Sequence, residues 1–239
     1  MRLFAKPPLV ECRPGRRRSS RFAGRGIWLL LAAGCLLSGC ANPSLVFRAP
    51  PYHPQNVFAF SPNLPADLKR VAVMPLSVAP EQTDLIEGAG MLEAMVAAEL
   101  VKTARFEVVC PAAESIRSHT GRSAWDMEGE LPADLLSFMR EVWGCDAVLF
   151  CRLTAFHGYA PLTVGWRLRL VNARTGTTVW AAEDRFDAGQ PSVQTAARAY
   201  QLEALRDTAP SQDEWAMGNS PRLFGQYTLA ALFATLPGR

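Results

Sequence analysis

From residue 67 onward the apolar positions change period along the chain, and each change marks an element. Residues 70–76, RVAVMPL, form a short apolar run closed by proline, which predicts a buried strand. Over 84–104, Leu85, Ala89, Leu92, Val96 and Leu100 recur every three or four places and draw one stripe on a helix. Thr83 or Asp84, followed by Glu87, supplies the polar start expected of that helix. Residues 106–109, FEVV, predict a second strand stopped by Pro111, and a short helix is expected over 112–119. The polar stretch 120–130, TGRSAWDMEGE, reads as a surface loop, and 132–143 as a helix with Gly144 as its C-cap.

Three strands are expected next. Residues 146–156 are apolar on both sets of alternate positions, as suits a strand covered on two faces. Residues 162–171 alternate strictly, with Leu162, Val164, Trp166, Leu168 and Leu170 on one face and Thr163, Arg167 and Arg169 on the other. The turn NARTG sends the chain back antiparallel over 177–186. Helices are expected near 191–207 and 221–236, joined by a polar connector that presents Trp215. The last helix carries Leu223, Phe224, Tyr227, Leu229, Leu232 and Phe233 on more than one stripe, so it is either sunk into the domain or shared with a partner. The order β-α-β-α-α-β-β-β with terminal helices predicts an α/β (α+β) domain, residues 67–239, built on a single mixed sheet.

Before that domain the pattern is different. Residues 13–25 hold six arginines, and 27–37 carry no charge. That apolar run is about half of the roughly 20 residues a membrane-spanning helix needs, and with its basic flank it fits an export signal. Leu37-Ser38-Gly39-Cys40 resembles the lipobox of bacterial lipoproteins. The resemblance implies cleavage before Cys40 and acylation of its sulfur and its new amino group. Residues 1–39 are therefore expected to be a signal peptide. Ala41, in place of an aspartate, implies sorting to the outer membrane. Residues 40–66 follow as a tether with six prolines, which favour extended chain. Phe47, Tyr52, Phe58 and Phe60 are unusual in an idle linker, so packing of this segment on the domain or on a neighbour stands beside a free spacer.

Charge and candidate chemistry then narrow the function. The whole chain is +3, but residues 1–39 hold eight Lys/Arg and one Glu. The rest has 17 basic and 21 acidic residues, a balance of −4 that gives no footprint for nucleic acid. After Cys40 only Cys110, Cys145 and Cys151 remain; buried free thiols are the leading expectation, with one disulfide as the alternative, Cys110–Cys145 ahead of Cys145–Cys151. His53, His119 and His157 show no metal spacing, and no cofactor or metal is expected. There is no nucleophile elbow and no phosphate loop. The EGAGM run lies inside a predicted helix, where Gly88 and Gly90 suit close packing. Glu128 and Glu130 lie in a loop too polar for a tuned acid–base pair. No catalytic residue is assigned.

RVAVMPL, ARFEVV, LLSFMREVWGCDAVLFCRLT and WRLRLVNARTGTTVWAAE together resemble the amino-terminal domain of TolB-like proteins, which also occurs in outer-membrane lipoproteins of the CsgG, PelC and LpoB type. The likeness spans about 68–187. It implies a non-catalytic, lipid-anchored binding or assembly protein on the periplasmic side of the outer membrane, acting in envelope assembly or secretion. Envelope proteins and further copies of itself are the implied partners, besides the bilayer. An activator of a cell-wall synthase is the second reading, and an anchored hydrolase the third. Binding candidates are Arg167, Arg169, Trp215, Phe224 and Tyr227.

Overall fold

A computed structural model describes residues 49–126, 128–204 and 216–239. The lipobox, Cys40, Phe47 and Trp215 lie outside the described residues. Six strands form one sheet: β1 (Val57–Ala59), β2 (Arg70–Val73), β3 (Glu107–Val109), β4 (Ala147–His157), β5 (Thr163–Asn172) and β6 (Thr178–Asp187). Their order is β1-β6-β5-β4-β2-β3. β4 pairs parallel with β2 and antiparallel with β5, so the sheet is mixed and β4 is its seam. The helices are α1 (Thr83–Lys102), α2 (Ala113–Thr120), α3 (Leu135–Trp143), α4 (Pro191–Ala204), α5 (Ala216–Asn219) and α6 (Pro221–Phe233). This is the α/β architecture that the periodicity predicts.

One face of the sheet carries the larger core. Val71 and Val73, Leu149 and Leu153, Trp166 and Leu168, and Trp180 and Phe186 bury against α1, α4 and α6. The stripe predicted for α1 is the side that packs, with Leu85, Leu92, Val96 and Leu100 buried. Two buried indoles fix α6 over the antiparallel strands. Trp166 donates Nε1–H to Thr228 Oγ1 at 2.9 Å, and Trp180 donates to Thr235 Oγ1 at 3.2 Å. Thr228 lies within α6 and Thr235 in the turn just past its end. The opposite face buries Ala72, Met74, Val148 and Phe150 under Ile116 of α2 and Leu135 and Met139 of α3. The cluster under those two helices takes in the parallel half and extends to Val171 at the end of β5.

Asp146 locks the seam from below. Its Oδ2 accepts the backbone N–H groups of Lys69 and Arg70 at 3.0 and 2.9 Å, and its own N–H donates to Arg70 O. Gly144, just before it, ends α3 in the left-handed region at φ 62° that a side chain resists, as its predicted C-cap role requires.

Several expectations are corrected. The N-cap of α1 is Gln82, with no side-chain cap bond; Thr83 and Asp84 lie in the first turn, where Asp84 favours the helix dipole. α3 starts at Leu135 rather than 132, after the turn that Pro132 opens. Cys145 and Cys151 are buried, but Cys110 is exposed, and all three are free, so Cys110 and Cys145 form no disulfide. Burial pushes the Cys145 thiol up to about 11. The proline-rich segment is no free spacer from Tyr52 onward. Tyr52 donates its N–H to Ser192 O and its hydroxyl to Asp184 Oδ1 at 2.7 Å, and β1 pairs antiparallel with β6.

Gly88 and Gly90 predict opposite outcomes within one helix. A Cβ on Gly88 would fall 2.4 Å from Phe156 Cγ and 2.9 Å from Leu153 Cδ2, whereas one on Gly90 meets nothing within 4 Å. Gly88→Ala should cost about 1–3 kcal/mol by overpacking, and Gly90→Ala should gain about 0.5–1 kcal/mol through helix propensity. Urea denaturation of the two variants checks the signs. Tyr52 and Tyr200 are each pushed up to about 12, mainly by burial, with Asp184 and Glu99 adding to it. An unfolded tyrosine ionises near 10, so between about pH 10 and 12 the unfolded state holds fewer protons. Stability should therefore be full below pH 10 and fall as pH rises through that window. Tyr52→Phe should flatten the fall in a pH series of denaturation curves.

Candidate functional site

Away from Val171, the antiparallel half of the second face has no helix over it, and its side chains follow from strand register. Arg152 of β4 pairs across to Arg167 of β5, and Arg167 to Glu183 of β6, whose N–H donates to Asn56 O beside β1. One step along, Phe150, Arg169, Ala181 and Phe58 line up in the same way. The even positions of β4 and the odd positions of β5 and β6 thus build a floor of two side-chain rows, since alternate residues share a face. Phe58 stands at its edge, half-exposed.

The α2–α3 connection reaches over this floor with two carboxylates. Asp126 Oδ2 accepts from Arg152 Nη1 at 2.6 Å and from Ser77 Oγ at 3.0 Å. Glu128 bridges Arg152 and Arg167 in close ion pairs. Arg167 Nη2 also donates to Glu183 Oε1 at 2.6 Å, a bond that raises the guanidinium above its ordinary range and keeps it charged. Arg169 forms no ion pair among the described residues. A depression of about 270 Å³ lies here, lined by Phe58, Arg169, Ala181, Glu183 and the bridged arginines.

A second hollow, about 730 Å³, adjoins it beyond the carboxyl end of β2, where Ser77 bridges to Arg152 in the middle of β4. Ser77–Glu81 form one wall; Trp125, Asp126 and Glu130 form the other, and Arg152 is common to both hollows. Trp125 is held by its Nε1–H bond to Thr120 Oγ1 at 2.9 Å, with Arg122 stacked over the ring. In open α/β sheets, ligands bind outside the carboxyl ends of the strands where the strand order reverses.

The remaining candidates scatter. Arg167 and Arg169 come together as neighbours on the uncovered face, as the alternation implies. Phe224 and Tyr227 instead point into the core, 1% and 3% exposed, so they present no surface. α6 is sunk because Leu92, Trp166, Phe186 and Tyr200 surround it. Trp215 lies outside the described residues. His119 bonds Asp134 Oδ2 at 2.9 Å and stacks on Phe138 at the surface, and His157 sits edge-on to Tyr159. Among the described residues no group of three or more His, Cys, Asp or Glu is arranged to hold a metal ion. No helix there is long and apolar enough to cross a membrane. Arg152, Asp126, Ser77 and Phe58 were not among the sequence candidates. Two signals bear on them: an arginine interrupting the apolar run AVLFCRLTAF, two places beyond Phe150, and Phe58 as an aromatic in the proline-rich tether.

No protein-family model and no curated protein sequence matches the chain. Among solved structures it is similar to the PelC dodecamer from Paraburkholderia phytofirmans, at 13% identity and TM-score 0.42, covering 79% of this chain and 95% of that one. It is similar to lipoprotein GNA1162 from Neisseria meningitidis at 19% identity and TM-score 0.38, covering 59% of this chain and 99% of that one. The LpoB C-terminal domain from Salmonella enterica matches at 16% identity and TM-score 0.32, covering 49% of this chain and 82% of that one.

Arg152 holds two carboxylates in place, and removing its charge leaves them facing each other. Arg152 and Asp126 are each about a quarter exposed, between a surface pair worth under about 1 kcal/mol and a buried one worth about 3–5. Arg152→Gln should therefore lose about 1–2 kcal/mol, with a smaller loss in 1 M NaCl than in dilute buffer because salt screens the repulsion. Denaturant titration at the two salt concentrations measures both.

Proposed function

We propose that the chain is a lipid-anchored, non-catalytic binding protein on the periplasmic side of the outer membrane, acting in envelope assembly or secretion. Cys40, after Leu37, Ser38 and Gly39, would be the first residue of the mature protein and its acylation site. Each buried CH₂ of an acyl chain contributes about 0.8 kcal/mol, so two or three chains hold firmly where one does not. The α/β domain would then act by presenting a surface rather than by turning over a substrate. The observation that carries this reading is the uncovered antiparallel half of the sheet. There arginine, carboxylate and aromatic groups stand on rigid strands, a composition suited to a partner interface. Its partners would be envelope proteins, including further copies of the chain.

Native mass spectrometry of the detergent-extracted protein, beside the Cys40→Ala variant, tests this. The expected result is a wild-type subunit that starts at Cys40, carries acyl mass and holds together as a closed multimer. The variant should be unprocessed or lost from the membrane fraction. Unchanged fractionation of Cys40→Ala would sink the anchor. An acylated monomer would remove self-assembly and leave a heterologous partner.

A further inference from the structure

Within that binding role, on which this step rests, the geometry points to the chemistry of a partner. We propose that the cluster Arg152, Arg167 and Arg169, spread over two adjacent side-chain rows, is a docking site for an acidic polypeptide segment. Asp126 and Glu128 occupy part of that site in the free chain.

Charge and origin of the groups carry the proposal. The three arginines stand on β4 and β5, the most extensively paired strands of the sheet. Two of the three carboxylates that meet them, Asp126 and Glu128, come from the α2–α3 connection rather than from a strand, so exchanging them breaks no strand pairing. Glu128 already does what an incoming carboxylate would do, bridging Arg152 and Arg167. An exchange of one carboxylate for another leaves neither guanidinium unpaired, so it avoids the large cost of stranding a desolvated charge. Arg169 supplies the affinity that the arm does not use. It forms no ion pair among the described residues and lies between Phe150 and Ala181 in the register, inside the depression that Phe58 borders. A planar guanidinium takes a carboxylate in two parallel bonds. The depression, about 270 Å³ and open to solvent, has room for side chains of an incoming segment beside Arg169. An incoming segment would place one carboxylate on Arg169 and a second where Glu128 now sits.

The probe is a fluorescein-labelled octaglutamate peptide, followed by fluorescence anisotropy against the detergent-extracted full chain in dilute salt, with octalysine as control. Glu128→Gln removes the occupying charge and should tighten octaglutamate binding about tenfold; Arg169→Gln should weaken it about tenfold, the range of one close charge pair. Because Arg169→Gln leaves the Arg152–Glu128–Arg167 bridge in place, its melting temperature should match wild type, which separates lost binding from lost folding. Binding seen with Glu128→Gln but not with wild type also supports the occupied site. No binding to either protein, equal binding of octalysine, or Arg169→Gln binding as wild type does would overturn the proposal. Cys40→Ala should keep the peptide affinity while changing membrane fractionation, so failure here and failure of the anchor are distinguishable.

Discussion

Everything in this fold is arranged around a single strand that must satisfy two kinds of neighbour. β4 donates and accepts in a parallel ladder with β2 and an antiparallel one with β5. Parallel pairing demands a crossover, antiparallel pairing only a hairpin. Asp146 fixes where the two systems meet by drawing the Lys69 and Arg70 N–H groups onto its carboxylate at the foot of the strand. The crossover from β2 to β3 runs through α1 on one face, and the return from β3 to β4 runs through α2 and α3 on the other.

The uncovered floor follows from that asymmetry. Hairpins bring no helix, so beyond Val171, which sits in the cluster of α2 and α3, β5 and β6 gain cover from the helices that come after them. α4 and α6 both settle on the face where Trp166 and Trp180 await hydrogen-bond partners. The other face of the antiparallel half is left to polar side chains, which solvate it by pairing among themselves. A topological rule about connections thus decides where the protein can meet something else, before any particular arginine is considered.

How legible this was in the sequence varied with the reach of each signal. The stripe on α1 and the alternation of β5 are local and read through to the observed packing without change. Gly144 was legible as a cap because a left-handed residue after an apolar helix has few alternatives. β1 was missed since three residues between prolines carry no period, and only β6 defines them as a strand. Cys110 was expected inside because it follows an apolar run, yet that run is an edge strand of three residues. The site was half legible. Strand alternation placed Arg167 and Arg169 outward, but Arg152 joins them only through β4–β5 register, and Asp126 and Glu128 only through the path of a loop. Phe224 and Tyr227 belonged to a helix apolar on too many sides for sequence to say which side faces out.

The clasp between the proline-rich segment and the domain bears on how the molecule carries load. Force drawn through the amino-terminal segment arrives first at Tyr52, held by Ser192 and Asp184, and then runs along β1 against β6. Beyond β1 it meets a second fastening, where Leu64 donates to Gly238 O and Gly238 donates to Pro62 O. Arg105 reinforces that point from beside α1 by donating to the carbonyls of Leu236 and Pro237. Tension is thus spread over three anchorages before it reaches the sheet's interior. β1 meets β6 over three residues, against ten and nine in the two central antiparallel ladders, so it is the part of the sheet that would part first under pull from that side.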